Sequence, residues 1–459
     1  MTPSAITHRA SRAGIFGWML FDFATQPVFT LITTFIFAPF FAARIAESPV
    51  EGQALWGFAT GAAGLCIALL SPLLGAIADE TGRRKPWIAA FSLLIIAGCA
   101  ALWFAVPGAE YAVPVALIGF ACATLGAEFA TVFTNAMMPT LVPGHELGRL
   151  SGSGWALGYV GGLISLALML VLFVAGTHSG RTLAGLSPAF GLDPATGEGD
   201  RASGPFSALW YIVFVLPLFL FTPDVPKLAP IGGAVSSGLK TLRATIVEAR
   251  AHRNVWLYLL AHMVYADGLV GLFAFGGIYA TGIFGWTTTE IGAFGILLTI
   301  TGAIGAFAGG RLDDRFGPKA VVTGALIALI LASLGILSTT AGSILFGLAV
   351  APPVPGDGLF APPAEQFYLL CGIVIGMVAG PLQSASRTLL VRVSPEEHIT
   401  QFFGLYALSG KVTSFMAPTL VGAITALAMS QRAGMSVLIA FFALGLVLLC
   451  LVKAPPARR

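Results

Sequence analysis
Apolar stretches separated by short polar turns run the length of the chain, and the elements they predict are membrane spans. About 20 mostly apolar residues are needed to cross a bilayer. Twelve stretches qualify as candidates: residues 15–43, 54–78, 87–106, 112–141, 150–175, 205–222, 254–283, 290–311, 319–341, 364–387, 401–428 and 433–452. Several exceed what a bilayer requires, which predicts tilted helices. Within 342–363 the apolar piece SILFGLAV is too short to span and PPVPGDGLFAPP breaks any helix, so that segment is expected in an outside loop. Residues 177–204, rich in Gly, Pro, Asp and Ser, read as a second irregular outside loop.

Composition agrees with the pattern. Hydrophobic residues make up 57% and charged residues 10%, with a mean hydropathy of +0.89, whereas a soluble domain carries roughly 25% charged residues. The bilayer is therefore the solvent. A formal charge of +3 is too small to suggest a nucleic-acid partner. Cys66, Cys99, Cys122, Cys371 and Cys450 lie in apolar runs without metal-ligand spacing and read as packing residues, with no disulfide framework. The apolar run after MTPSAITHRASRAG is too long for a signal-peptide core of about 7–15 residues, so it reads as a retained first span.

Charge placement sets the orientation. With the N-terminus inside, nineteen of the 24 Lys and Arg fall in cytoplasmic segments, among them Arg83, Arg84, Lys85, Lys240, Arg243, Arg311 and Arg315. Arg44, Arg181, Arg201 and Arg432 fall outside, and Lys411 lies within a span. This asymmetry supports twelve spans with both termini cytoplasmic. Between the halves, SGLKTLRATIVEAR places Leu239, Leu242 and Ile246 on one face and Lys240, Arg243 and Arg250 largely elsewhere, which suits a helix on the inner membrane surface.

One short charged turn occurs twice. GAIADETGRRKPW, Gly75 to Trp87, and GRLDDRFGPK, Gly310 to Lys319, share the frame Gly-x3-Asp-x2-Gly, through Gly75, Asp79 and Gly82 and through Gly310, Asp314 and Gly317. They stand 235 residues apart in a chain of 459. A repeat on that scale points to two homologous halves. The turn resembles the cytoplasmic loop of major facilitator superfamily transporters. The resemblance implies an all-α polytopic membrane protein with the major facilitator fold: twelve transmembrane helices in two pseudo-symmetric six-helix bundles. The expected bundles are 1–222 and 254–459, joined by a cytoplasmic linker at 223–253. In this setting Asp79 and Asp314 are expected to accept hydrogen bonds from helix N-terminal amides. Arg83 and Arg315 are expected to pair across the bundle and release when the inner side opens; alternatively, the basic residues only set topology.

An ionisable residue inside a span is costly and marks a candidate site. Asp22 and Gln26 lie one turn apart in the first span, and Glu128 lies near the middle of the fourth with Asn135 two turns on. His262 and Asp267 are in the seventh, Gln383 and Arg387 in the tenth, and Lys411 about ten residues into the eleventh. The resemblance implies that spans one, four, seven and ten line the substrate cavity. Asp22 and Asp267, at comparable depth in equivalent spans, are expected there, with Arg387 or Lys411 holding an anionic group and Glu128 or Asp267 carrying the coupling proton. Glu128 is either a proton site or the salt-bridge partner of Lys411 or Arg387. Arg387 either holds an anionic group or snorkels, and Lys411 is expected in a charge pair. His262 reads as a packing residue, with a ligand or proton role as the alternative. Gln26, Asn135 and Gln383 serve equally well as interhelical glue or as substrate contacts. Gly154, Gly158 and Gly162 recur at four-residue spacing and permit close helix approach. Drug/proton antiporters of the superfamily carry Gly-Pro-x-x-Gly-Gly in this span, and Gly158-Tyr-Val-Gly161-Gly162 lacks the proline, so antiport does not follow.

Four stretches narrow the resemblance: GWMLFDFATQPVF, FTNAMMPTLVPGHELGRLSGSGWALGYVGG, MVYADGLVGLFAFGGIYA and PLQSASRTLLVRVSPEEHITQFFGLYALSGKVTSFMAP. Together they look like the unknown-major-facilitator family that includes the yeast vacuolar autophagy-related amino-acid effluxer. Phe21 and Thr25-Gln26 stand where that family more often has Tyr and Asn-Ser. The resemblance implies a secondary active transporter of a small polar solute, an amino acid or similar metabolite, working by alternating access with coupling to a proton gradient. The expected protein is no enzyme, has no cofactor or metal, and works as a monomer in a bacterial inner membrane. Two alternatives remain: a sugar–cation symporter, whose loop Arg83-Arg84-Lys85-Pro86-Trp87 also resembles, and a non-transporting receptor or regulator on the same fold.

Overall fold
A computed structural model describes residues 10–81, 83–142, 147–176, 179–224, 243, 246–352, 354, 358–394 and 399–453. The described chain is almost wholly helical. The helices are α1 (Arg12–Pro27), α2 (Phe37–Phe40), α3 (Pro49–Thr81), α4 (Lys85–Ala101), α5 (Ala112–Leu141), α6 (Leu147–Leu168), α7 (Glu198–Arg201) and α8 (Ser203–Phe221). They continue with α9 (Arg253–Phe284), α10 (Thr288–Phe316), α11 (Pro318–Leu337), α12 (Pro363–Val393), α13 (Ile399–Val412), α14 (Met416–Ala428) and α15 (Gln431–Leu451). A π-helical stretch, Val28–Phe35, carries α1 on towards α2. Eleven helical spans among the described residues are long and apolar enough to cross a membrane. The remaining expected span, 401–428 and eleventh in order, is not one continuous helix: a turn at 413–415 divides it into α13 and α14. Exposed Leu93, Ile118, Leu331 and Leu427 suit a surface whose solvent is lipid.

The segment 342–363 does not span. Its apolar piece folds back as a small antiparallel hairpin, β1 (Ser343–Ile344) with β2 (Leu348–Ala349). After α6 a π-helical stretch, Met169–Phe173, continues the span, and the described residues from there to α7 are irregular apart from a 3-10 turn at Ala189–Gly191. The expected surface helix of the central linker falls mostly outside the described residues; 246–251 are helical and lead towards α9.

Two compact units result, Met1–Phe41 with Leu69–Thr241, and Ala42–Ala68 with Leu242–Arg459. Helix α3 passes from the second to the first, so its first half is grouped with the C-terminal helices. In the first unit α1 packs against α6 and α8, and α4 against α5. Trp210 stacks on Phe23 (centroids 5.0 Å apart) and donates its indole N–H to the Phe23 carbonyl (2.9 Å). In the second unit α12 packs against α10 and α11, and α9 against α15.

Local chemistry explains several helix ends. Ser11 caps α1 by accepting the Gly14 amide (3.0 Å), and Thr287 with Glu290 forms a capping box at the start of α10. Gly317, the last glycine of the second repeated turn, has φ +83° and ψ 153° between α10 and α11. Only glycine tolerates that conformation readily, which accounts for this position of the frame. Helix α4 is capped from a distance: Asp224 Oδ1 and Oδ2 accept the Arg84 and Lys85 amides (2.9 and 3.2 Å). Lys85 Nζ in turn donates to the Phe219 carbonyl at the end of α8 (2.8 Å). The other half repeats this last contact, with Lys319 Nζ donating to the Val452 carbonyl just beyond α15 (2.6 Å). Both lysines therefore fasten the first helix after the repeated turn to the last helix of their own half.

Candidate functional site
In the first unit polar positions of α1 and of the π-helical stretch that follows it form a ladder. Asp22, Gln26 and Thr30 are spaced four apart and face Gly154, Gly158 and Gly162. An ideal Cβ on Gly154 would lie 2.7 Å from Asp22 Oδ2, and one on Gly162 would lie 2.7 Å from Thr30 Oγ1 and 2.9 Å from Gln26 Cγ. The glycine stripe of the fifth span thus makes room for polar side chains as well as for close backbone approach. Gln26 Nε2 donates to Thr30 Oγ1 (3.4 Å), and Asp22 is half-buried. Trp18, one turn before Asp22, donates its indole N–H to the Thr134 carbonyl on α5 (2.7 Å). That bond ties α1 to α5 beside Asn135, which is exposed; Glu128 is half-buried two turns earlier on α5.

The second unit holds a denser cluster on α9, α12 and α13. Tyr258, His262 and Tyr265 share one face of α9. Tyr265 and Ser386 bond through their hydroxyls (2.7 Å), Tyr258 donates to the Ser386 carbonyl, and His262 Nδ1 bonds Ser409 Oγ (3.0 Å). Tyr406 stacks on the His262 ring, centroids 4.0 Å apart. Arg387, exposed on α12, lies within electrostatic reach of both His262 and Tyr406. Gln383 is half-buried one turn before it.

Asp267, five residues beyond His262, is 1% exposed. Its Oδ2 accepts the Ala417 amide at the start of α14 (3.1 Å), while Oδ1 has no hydrogen-bond partner among the described residues. The two intramembrane aspartates therefore each pack against the fifth helix of their own half, Asp22 on an unbroken α6 and Asp267 on a broken α13–α14.

Of the expected gating residues, Arg83 is exposed after α3, and Arg315 is exposed with its guanidinium 5.2 Å from the Phe316 ring centroid. The side chains of Asp79, Asp314 and Lys411 lie outside the described residues. Sequence reasoning did not place Tyr258, Tyr265, Tyr406, Ser386 and Ser409 beside His262, a buried ring that is hydrogen-bonded and stacked among them. The signal was available in part: positions 258, 262 and 265 have the i, i+4, i+7 spacing that lines one helix face.

The fold recurs in solved transporters. A point mutant of the nucleoside transporter NupG superposes with a TM-score of 0.61 at 12% identity, covering 95% of this chain and 98% of that one. The xylose transporter XylE from E. coli, in an inward-open conformation, gives 0.60 at 15% identity, covering 97% and 95%. Among sequences, the uncharacterized MFS-type transporter YxiO of Bacillus subtilis (strain 168) is 24% identical over 441 residues, 95% of this chain and 94% of the relative. Autophagy-related protein 22-1 of Penicillium rubens is 28% identical over 287 residues, 60% of this chain but only 44% of the fungal protein. The polytopic helical fold, the repeated turn and these relatives describe a membrane transporter of the major facilitator type rather than an enzyme. The family model described as vacuole effluxer Atg22-like matches residues 53–459, and the chain belongs to that family.

Proposed function
We propose that this secondary transporter moves a small solute carrying both charge signs, an amino acid or close analogue, in exchange for or together with a proton, by alternating access. Export is the preferred direction, a bacterial inner membrane the preferred location, and a monomer the working unit. The observation that carries the reading is the pairing of opposite charge types within one unit. Asp267 supplies a buried carboxylate on α9, and Arg387 an exposed guanidinium on α12 beside His262 and Tyr406. A guanidinium matches a solute carboxylate in charge and fork geometry, and a carboxylate matches an ammonium. Asp22, half-buried on α1, is the corresponding acidic position of the first unit.

A sugar is the second reading, favoured by one specific observation. Tyr258, Tyr265, Tyr406 and His262 with Ser386 and Ser409 make an aromatic, hydroxyl-rich cluster of the kind that stacks on and hydrogen-bonds to neutral polyols.

The test is thermal stabilisation of the purified chain in liposomes by amino acids, peptides and sugars at two pH values. A ligand selective for the folded state at about 100 times its Kd adds about 2.7 kcal/mol of stability. Stabilisation by amino acids that is lost in Arg387→Ala and in Asp22→Asn is the expected result. Stabilisation by sugars alone, unaffected by Arg387→Ala, replaces the first reading with the second.

A further inference from the structure
Helix α14 begins in an unusual way. Its N-cap, Phe415, has no side-chain acceptor, and the turn at 413–415 contains neither Gly nor Pro. The free amides at the start of a helix need partners. Met416 donates to the Thr413 carbonyl (2.7 Å), and Pro418 has no amide to satisfy. Ala417 remains, and its partner comes from another helix, through Asp267 Oδ2 (3.1 Å). The start of α14 is thus tied to α9 through the Asp267 carboxylate.

That carboxylate has one oxygen engaged and one not. Asp267 Oδ1 is buried without a hydrogen-bond partner among the described residues, and so is Thr413 Oγ1 in the turn. Two opposing terms act on the group. A helix N-terminus and a charge-assisted bond to Ala417 favour the anion, whereas burial penalises an uncompensated charge. The group is placed between these opposing influences, and a change in its charge has a mechanical reader. Loss of the negative charge weakens the bond that starts α14.

We propose that Asp267 Oδ1 is the binding point for a single positive charge, a proton or an alkali-metal cation, and that α14 reads its occupancy through the Oδ2–Ala417 bond. A proton adds to Oδ1 as an O–H group; an alkali cation is coordinated by the same oxygen. Either cancels the carboxylate charge and loosens the start of α14. This rests on the reading of the chain as an ion-coupled transporter and adds to it a site and the element that responds. Helix α14 itself carries no ionisable side chain. The other titratable or charged groups on the packed helices include Tyr258, His262, Tyr265 and Tyr279 on α9, Glu365, Tyr368, Arg387 and Arg392 on α12, Tyr406 and Lys411 on α13, Arg432 on α15 and Glu51 on α3. Arg432 donates to the Thr339 carbonyl (3.1 Å). The Lys411 side chain lies outside the described residues. Asp22 has no comparable reader, because α6 runs unbroken past it.

The test is amide hydrogen exchange of the full chain in lipid nanodiscs, read by mass spectrometry and normalised to the intrinsic chemical rate at each pH. Wild-type protein is compared at neutral and acidic pH in choline buffer, and at neutral pH with sodium replacing choline. The expected result is a roughly five- to tenfold loss of protection confined to peptides around Ala417, the size expected when a charged helix-start acceptor becomes neutral. Peptides from α15 should not change. A response to acid alone identifies the proton, and one to sodium alone the alkali cation. Asp267→Asn keeps an acceptor for Ala417 but carries no charge, and should give a fixed, ion-insensitive exchange; Asp267→Glu should keep the response, and Asp22→Asn should leave it untouched. Wild-type exchange indifferent to both ions, or a response that persists in Asp267→Asn, overturns the proposal. If the exchange response stands while no solute is bound or carried, the solute reading fails and this one does not.

Discussion
At the scale of single residues, several buried polar groups of the second unit gather around α9. Ser386 serves two tyrosines, its hydroxyl bonding Tyr265 and its carbonyl accepting from Tyr258, and it also bonds back to the Leu382 carbonyl (2.6 Å). Tyr265 is 2% exposed and Ser386 1%, so a hydroxyl left alone there has no water to turn to. Ser386→Ala should therefore cost about 1–3 kcal/mol, the penalty for an unsatisfied buried group. The double variant Ser386→Ala/Tyr265→Phe should recover much of that loss, because both partners are then apolar. Thermal melts of the four proteins of this cycle in detergent check it, and strictly additive losses would deny the bond any role. The acidic half of this site was legible in the sequence because a charge in an apolar run stands out. The tyrosines were not, since a Tyr among Leu and Phe looks like packing until its hydroxyl partner, here 121 or 128 residues away, is seen.

At the scale of elements, the spans were legible and the break in one of them was not. Length and hydropathy sufficed for the long helices, and the doubtful segment at 342–363 resolved as expected into a non-spanning loop. The break at 413–415 has a local cause that length and hydropathy do not register: Pro418 has no amide to donate to residue 414 and its ring crowds that carbonyl, while a carboxylate on α9 accepts the neighbouring Ala417 amide. The use of glycine also needed the structure. Along α3, Gly57 meets α14 with almost no gap, an ideal Cβ there lying 2.8 Å from both Gly422 Cα and the Pro418 carbonyl oxygen. Beside it Gln53, fully buried, donates to Thr425 Oγ1 (2.8 Å) and the Gln431 carbonyl (3.1 Å). A side chain at position 57 must push backbone, which does not yield as a flexible side chain does. Gly57→Leu should destabilise the protein by about 1–3 kcal/mol or more, as overpacking does, with Gly57→Ala intermediate. A melting temperature unchanged in Gly57→Leu would show that α3 and α14 do not meet this closely.

At the scale of the whole molecule, the orientation expected from Lys and Arg depends on how the broken helix is counted. Ala184 lies in the irregular loop before α7, and Lys453 follows α15; both are exposed. Between them run α8, α9, α10, α11 and α12, then the α13–α14 pair, then α15. If the pair crosses the bilayer once, seven crossings separate the two positions and they lie on opposite sides. If it enters and returns, six crossings put them on the same side. The charge asymmetry favours the first, with Ala184 outside and Lys453 within. Ala184→Cys and Lys453→Cys, each expressed separately, distinguish the cases by labelling with a membrane-impermeant maleimide against the wild-type signal from the native cysteines. Ala184→Cys should label in intact cells and Lys453→Cys only after permeabilisation. Labelling of both in intact cells would mean that the discontinuous span does not cross. The opposite pattern would keep the crossing and invert the chain.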